Sequence, residues 1–175
     1  MSLRVNLKKN SLSVFEIGVI LLLACVPLFV TFPYRVNIFL SWEGAYRISQ
    51  GELPFSDFGL PMGGMYWAIP GIFFKLFGTQ MITLVKAQVF INILSGLAFR
   101  SILKSLDVPP ATRFASVLLY CLSYSFFNFW PWYNHTVIVY EFIGLAFLFK
   151  ALSVQGKKHT AFLALAAFFT LCSFF

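Results

Sequence analysis

Charge is what this chain has least of. Its 175 residues include 13 basic and 6 acidic side chains, and charged residues make up only 11%. A soluble domain of this length carries about a quarter, so the deficit excludes an ordinary soluble domain. Histidine is nearly absent. His135 and His159 are the two copies, and they fall on opposite sides of the expected membrane, which excludes a multi-histidine metal site. The three cysteines, Cys25, Cys121 and Cys172, lie inside apolar runs without metal-ligand spacing. They read as small buried hydrophobes rather than as disulfide or zinc chemistry. Internal repeats, low-complexity tracts and a soluble domain are missing too. No small-residue cleavage site follows the first apolar run, so that run is expected to stay as an anchor.

What fills the chain is apolar. Hydrophobic residues make up 59%, phenylalanine alone has 23 copies, and the mean hydropathy is +0.83. The net charge of +7 raises the question of nucleic acid. The basic residues, however, lie between apolar spans rather than on one face, which is the pattern of membrane topology, and no nucleic-acid partner is expected. The expected fold class is all-α: a polytopic membrane protein with about five transmembrane helices, forming a single transmembrane domain over 1–175. An extracytoplasmic loop, 33–79, is expected to carry interfacial helices.

The expected spans are 14–32, 80–99, 114–130, 136–149 and 160–175. The first, nineteen residues, covers about 28 Å, close to the hydrocarbon thickness. Ser13 with Glu16 reads as a capping box at its start, which gives Glu16 a structural role. The run Met65–Phe77 is too short to cross comfortably and contains Pro70, so it is placed at the outer interface. Charge decides this placement. With that run on the outside, Arg4, Lys8, Lys9, Arg100, Lys104, Arg113, Lys150, Lys157 and Lys158 are all cytoplasmic. Arg35, Arg47, Lys75 and Lys86 remain outside or interfacial. If the run crossed, only five basic residues would be inside. The positive-inside rule therefore favours the first arrangement, with a cytoplasmic N-terminus. Pro109 and Pro110 mark an inner turn. Trp130, Trp132 and Tyr133 mark an outer interface, with Pro131 breaking the helix. The chain stops within an apolar run, and the expectation is that it is part of a longer protein.

Three of the six acids, Glu43, Glu52 and Asp57, gather in 41–78. Carboxylates between apolar spans point to a reaction site at the membrane edge. Residues 42–50 are read as a short helix capped by Gly51, with Glu43 and Arg47 four apart on one side. Glu43 is then either half of a surface ion pair or a base for an incoming nucleophile. Glu52 reads as solvated. Asp57 is either a turn residue or a second carboxylate facing the same cavity, and two such acids leave room for a divalent cation. Gly63 and Gly64 precede the interfacial helix. They either present free amides to a phosphate or simply let the chain turn. Arg35, Arg47 and Lys86 add positive charge there, although snorkelling to headgroups is an alternative. His135 is a candidate proton carrier or ligand at the second outer turn. Glu141, about two turns into the fourth span, is expected to face the bundle interior or to pair with a neighbouring helix.

These residues carry a resemblance. A carboxylate after the first span, Glu43, is followed by Gly51-Glu52-Leu53-Pro54-Phe55-Ser56-Asp57-Phe58, then Pro61, Tyr66-Trp67 and Leu76-Phe77-Gly78. The pattern resembles the GT-C membrane glycosyltransferases, nearest to the RgtA/B/C/D-like group related to protein mannosyltransferases and aminoarabinose transferases. It is specific over 41–78. The resemblance implies an integral protein of a bacterial inner or plasma membrane. It implies transfer of a hexose or pentose from a polyprenyl-phosphate donor to a lipid, glycan or protein acceptor on the extracytoplasmic side, usually with inversion. Glu43 would be the catalytic base and Asp57 a supporting acid. Arg47, Gly63, Gly64, Tyr66, Lys86 and His135 would contact substrate. The chain departs from the pattern in places. One carboxylate, in Trp42-Glu43-Gly44, stands where relatives often have an Asp-Glu or Asp-Gly pair. Leu60-Pro61-Met62-Gly63-Gly64 replaces a lysine before a proline pair. Asn134-His135 stands near a position where relatives often carry Asp. The rival expectation is a non-catalytic membrane subunit or a truncated, inactive relative. A transporter is a third, with Glu141 and Asn92 as its mid-membrane polar residues.

Overall fold

The structure is a computed structural model that describes residues 2–30, 36–59 and 63–174, with side chains from Leu12 onward. Arg35 and the stretch 60–62, including Pro61, lie outside the described residues, as do the side chains of Arg4, Lys8 and Lys9. Among the described residues the fold is all-α. Its helices are α1 (Ser2–Ala24), α2 (Val36–Ser49), α3 (Ala68–Phe77), α4 (Met81–Ser105), α5 (Pro110–Phe127), α6 (Tyr133–Leu152) and α7 (Lys157–Phe174). Short 3-10 turns occupy Val26–Leu28 and Met65–Trp67. By length and composition, α4 and α6 are long and apolar enough to cross a membrane, and Leu12–Leu28 and Met65–Phe77 are shorter apolar stretches.

The first expected span is corrected at both ends. Its helix starts at Ser2, so Ser13 and Glu16 lie inside α1 and cannot form a capping box. The helix ends at Ala24, because Pro27 in the following 3-10 turn has no N–H to continue the ladder. Pro70 is corrected too. It sits in the first turn of α3 rather than interrupting a helix, and there its missing N–H is tolerated. The turn between α4 and α5 follows the expected proline logic, with Pro109 at the N-cap and Pro110 at the first position of α5.

Helix α4 is the spine. It packs against α1, α3, α5 and α6, while α7 packs on α6 and α2 on α3. One core joins Ile91 and Ala98 of α4 to Tyr124 of α5 and to Val139 and Ile143 of α6. A second joins Ile20 of α1 to Val117 and Cys121 of α5. The third, Ile38, Ala45, Phe74 and Leu84, seats α2 and α3 on the first turn of α4.

A polar seam runs down α4. Gln88, Asn92 and Ser95 recur at intervals of four and three and are all buried. The Gln88 amide donates to Asn92 Oδ1 at 2.8 Å, and Asn92 Nδ2 donates to the Ala24 carbonyl at 3.3 Å. Ser95 and Tyr120 share a short hydrogen bond. The last two of these bonds join α4 to the end of α1 and to α5. At the far end of α4, Glu16 is fully buried and accepts from two arginines. Arg100 Nε lies 2.7 Å from Oε2, and Arg113 Nε lies 2.8 Å from Oε1. Arg100 also donates to the Ser13 hydroxyl. One carboxylate thus ties together α1, α4 and α5.

Candidate functional site

The candidate site is built on the C-terminal half of α2. This helix ends in a hydrogen-bonded Gly cap. Gly51 takes φ +93°, its N–H reaches Ile48 O at 3.0 Å, and the Glu52 N–H reaches back to Arg47 O at 3.1 Å. The cap brings Glu52 beside Arg47. Arg47 then bridges two carboxylates: Nη2 lies 3.0 Å from Glu43 Oε1, and Nη1 lies 3.0 Å from Glu52 Oε2. Glu52, expected to be solvated, is therefore part of the cluster. The two acids push the guanidinium pKa above its ordinary value, chiefly through the Glu43 hydrogen bond. The expected second carboxylate for a divalent cation, Asp57, lines neither hollow beside Glu43. Among the described residues, no group of three or more His, Cys, Asp or Glu could hold an ion.

The floor beneath this cluster is Trp67. It is 1% exposed, and its indole N–H donates to the Leu40 carbonyl at 3.1 Å. The ring lies against the α2 backbone at Gly44. A Cβ there would fall 2.1 Å from Trp67 Cε2, so only glycine permits the approach. Phe58 packs against Trp67 and lies under the guanidinium, 5.5 Å from ring centroid to Arg47 Cζ. Trp42 and Tyr46 stack on the other flank, with centroids 5.2 Å apart. Two adjacent hollows share Glu43 and Arg47. One, of about 130 Å³, is lined by Leu40, Gly44, Phe58, Gly59 and Trp67 as well. The other, of about 480 Å³, is lined by Phe39, Trp42, Tyr46 and Glu52 as well.

The remaining candidates lie elsewhere. Asp57 lines neither hollow. Its Oδ2 accepts the Leu53 N–H at 2.8 Å and its Oδ1 accepts the Ser56 hydroxyl at 3.4 Å, so it closes its own turn. Gly64 is pressed by Pro54 and Phe55; a Cβ would meet Pro54 Cβ at 2.9 Å. Gly63 precedes it, and the helix that follows begins as the 3-10 turn Met65–Trp67. Lys86 is exposed on α4 and lines neither hollow. Tyr66 is buried among Trp67, Trp132 and Tyr133. Its hydroxyl has no hydrogen-bond partner among the described residues, and burial pushes the phenol pKa up. His135 is half-buried, edge-on to Tyr124, with its buried Nδ1 unpartnered among the described residues and its carbonyl taking the Tyr124 hydroxyl at 2.9 Å. Glu141 is corrected: it is exposed on α6 and lines an outer groove between α6 and α7, not the bundle interior.

Two bonds pin the 36–67 region to the turn before α6 and to α6 itself. The Ser41 hydroxyl donates to the Pro131 carbonyl at 2.6 Å, and the Tyr140 hydroxyl donates to the Met65 carbonyl at 3.0 Å. The Glu43–Arg47 pairing was readable from the i,i+4 spacing. The role of Glu16 was not, although an acid and two arginines at the ends of three apolar helices is a signal for mutual pairing. No family model matches the sequence, and no curated protein or solved structure matches it.

Proposed function

We propose that α1, α4, α5, α6 and α7 cross a membrane and that residues 36–79 cap the extracytoplasmic end. Charge supports this orientation. Lys104, Lys150, Lys157 and Lys158 belong to the opposite end of the bundle, where Arg100 and Arg113 meet Glu16. We further propose that the cap transfers a sugar from a polyprenyl-phosphate donor to a lipid, glycan or protein hydroxyl, as the GT-C resemblance of 41–78 implies. The observation that carries this reading is the Glu43–Arg47–Glu52 cluster, set between two hollows and flanked by Trp42, Tyr46 and Phe58.

The chemistry needs a base on one side of the anomeric carbon and a cation at the leaving phosphate on the other. Arg47 supplies the cation. A phosphate that draws the guanidinium away frees the Glu43 carboxylate. The acceptor oxygen then bonds to the anomeric carbon as the carbon–oxygen bond to phosphate breaks. The hydroxyl proton passes to Glu43, and polyprenyl phosphate leaves with the electron pair. Aromatic faces beside the cluster suit the apolar face of a sugar ring.

The test is a transfer assay in membranes containing the protein, supplied with radiolabelled polyprenyl-phosphate hexoses and pentoses. Glu43→Gln should lower turnover by about 100-fold or more, and Arg47→Gln should raise KM for the donor. Wild-type turnover in Glu43→Gln would remove that residue from the mechanism. A second reading, a non-catalytic subunit, is favoured by a specific observation: both Glu43 and Glu52 are already paired, and Asp57 is committed to its turn. It predicts donor binding without transfer.

A further inference from the structure

A groove of about 490 Å³ opens between α4, α6 and α7. Helix α6 forms its floor and packs on both neighbours, which leave the cleft between them. Its walls are apolar, with Leu97 of α4, Ile143 and Phe147 of α6 and Phe169 of α7 among them. One end is closed by Met65 and Tyr140, which are hydrogen-bonded to each other. The other end carries Ser101 and Lys150. From Tyr140 to Lys150 the helix rises about 15 Å, half of a hydrocarbon core of about 30 Å. The groove is therefore one leaflet deep, with a cation at its headgroup end. The Lys150 ammonium lies 5.4 Å from the Phe147 ring centroid and makes no ion pair among the described residues. The elements packed around that end add Lys104, Lys157 and Lys158, all exposed, against the single exposed acid Asp107.

We infer that this groove binds one acyl chain of an anionic phospholipid, with the phosphate at Lys150. The charge selects the occupant: a neutral helix from a second copy would leave the ammonium unmatched, whereas a phosphodiester neutralises it at the depth where it sits. The inference rests on the membrane-spanning reading above but not on the glycosyltransferase reading. Binding selectivity comes from the headgroup, because the chain is already in hydrocarbon. One cation at a membrane surface is worth about a fivefold preference.

The test is electron paramagnetic resonance of the protein reconstituted in phosphatidylcholine bilayers, with trace chain-labelled phosphatidylglycerol or phosphatidylcholine. Both lipids should show a motionally restricted component, with phosphatidylglycerol preferred about fivefold. Lys150→Gln should bring that preference close to one, whereas Lys158→Gln should leave most of it. Ala146→Phe, which narrows the groove, should reduce the number of restricted phosphatidylglycerol molecules per protein. Equal restriction of the two lipids in the wild type, or a preference unchanged by Lys150→Gln, would overturn the lipid site while leaving the spanning helices in place. No restricted component for either lipid would overturn the membrane reading with it. Lys150 is exposed, so its substitution decides the matter even if Ala146→Phe fails to fold.

Discussion

Two glutamates of this chain show how surroundings assign opposite roles to one side chain. Glu16 is fully buried and neutralised by Arg100 and Arg113, so its removal leaves two guanidiniums facing each other without a counter-charge. Glu16→Gln should destabilise the protein by about 3–5 kcal/mol, read as a fall in Tm in detergent. An unchanged Tm would mean that the triad does not join the helices. Glu43 is the reverse case. Its side chain is 58% exposed, so Glu43→Gln should leave Tm unchanged even where it removes transfer. Gly44 is the third telling residue. Gly44→Ala forces the Trp67 ring off the α2 backbone and should cost about 1–3 kcal/mol by overpacking, measured by thermal unfolding. Composition reveals none of these differences, because the partners of Glu16 and the neighbour of Gly44 come from other segments of the chain.

Helix ends carry the next level of information. The α2 and α4 termini close with the same hydrogen-bond pattern, but Gly51 fills the left-handed position in one and Asp107, with φ +52°, fills it in the other. Asp107→Gly should therefore raise stability by up to about 1 kcal/mol, and Asp107→Val should lower it by about 1–2 kcal/mol. Reversal of that order in thermal melts would rule out the cap as a source of stability. Pro109 and Pro110 were legible in the sequence, since they begin α5 where their missing N–H groups are harmless, whereas Pro70 was not. Nor was the start of α1. Polar residues 2–13 give no apolar run, yet they continue the same helix, because a helix can extend beyond an apolar layer wherever its backbone bonds stay paired. The Leu53–Asp57 turn was half legible. Asp57 beside Ser56 signals a turn, but only the bond to the Leu53 N–H shows that this carboxylate is already committed.

For the whole molecule, the decisive question is which compartment each end faces. With an impermeant maleimide on intact cells, Ser56→Cys should label from outside and Lys104→Cys only after permeabilisation. Labelling of both from one side would dissolve the proposed cap, and with it the site. The apolar content and the distribution of basic residues were enough to predict an all-helical chain and the placement of its main apolar helices. Hydrophobic runs and their punctuation are local properties, carried by neighbours in the chain. Beyond the i,i+4 pair Glu43–Arg47, which acids meet which cations was decided only by the tertiary structure. Glu16 meets Arg113 across 97 positions, and Ser41 meets Pro131 across 90. The first of these closes where α1 and α5 pack on each other and on α4, and Gly96 of α4 lets Ile20 and Cys121 approach it closely. Pairing over such separations depends on how helix faces pack together, which no local pattern along the chain encodes.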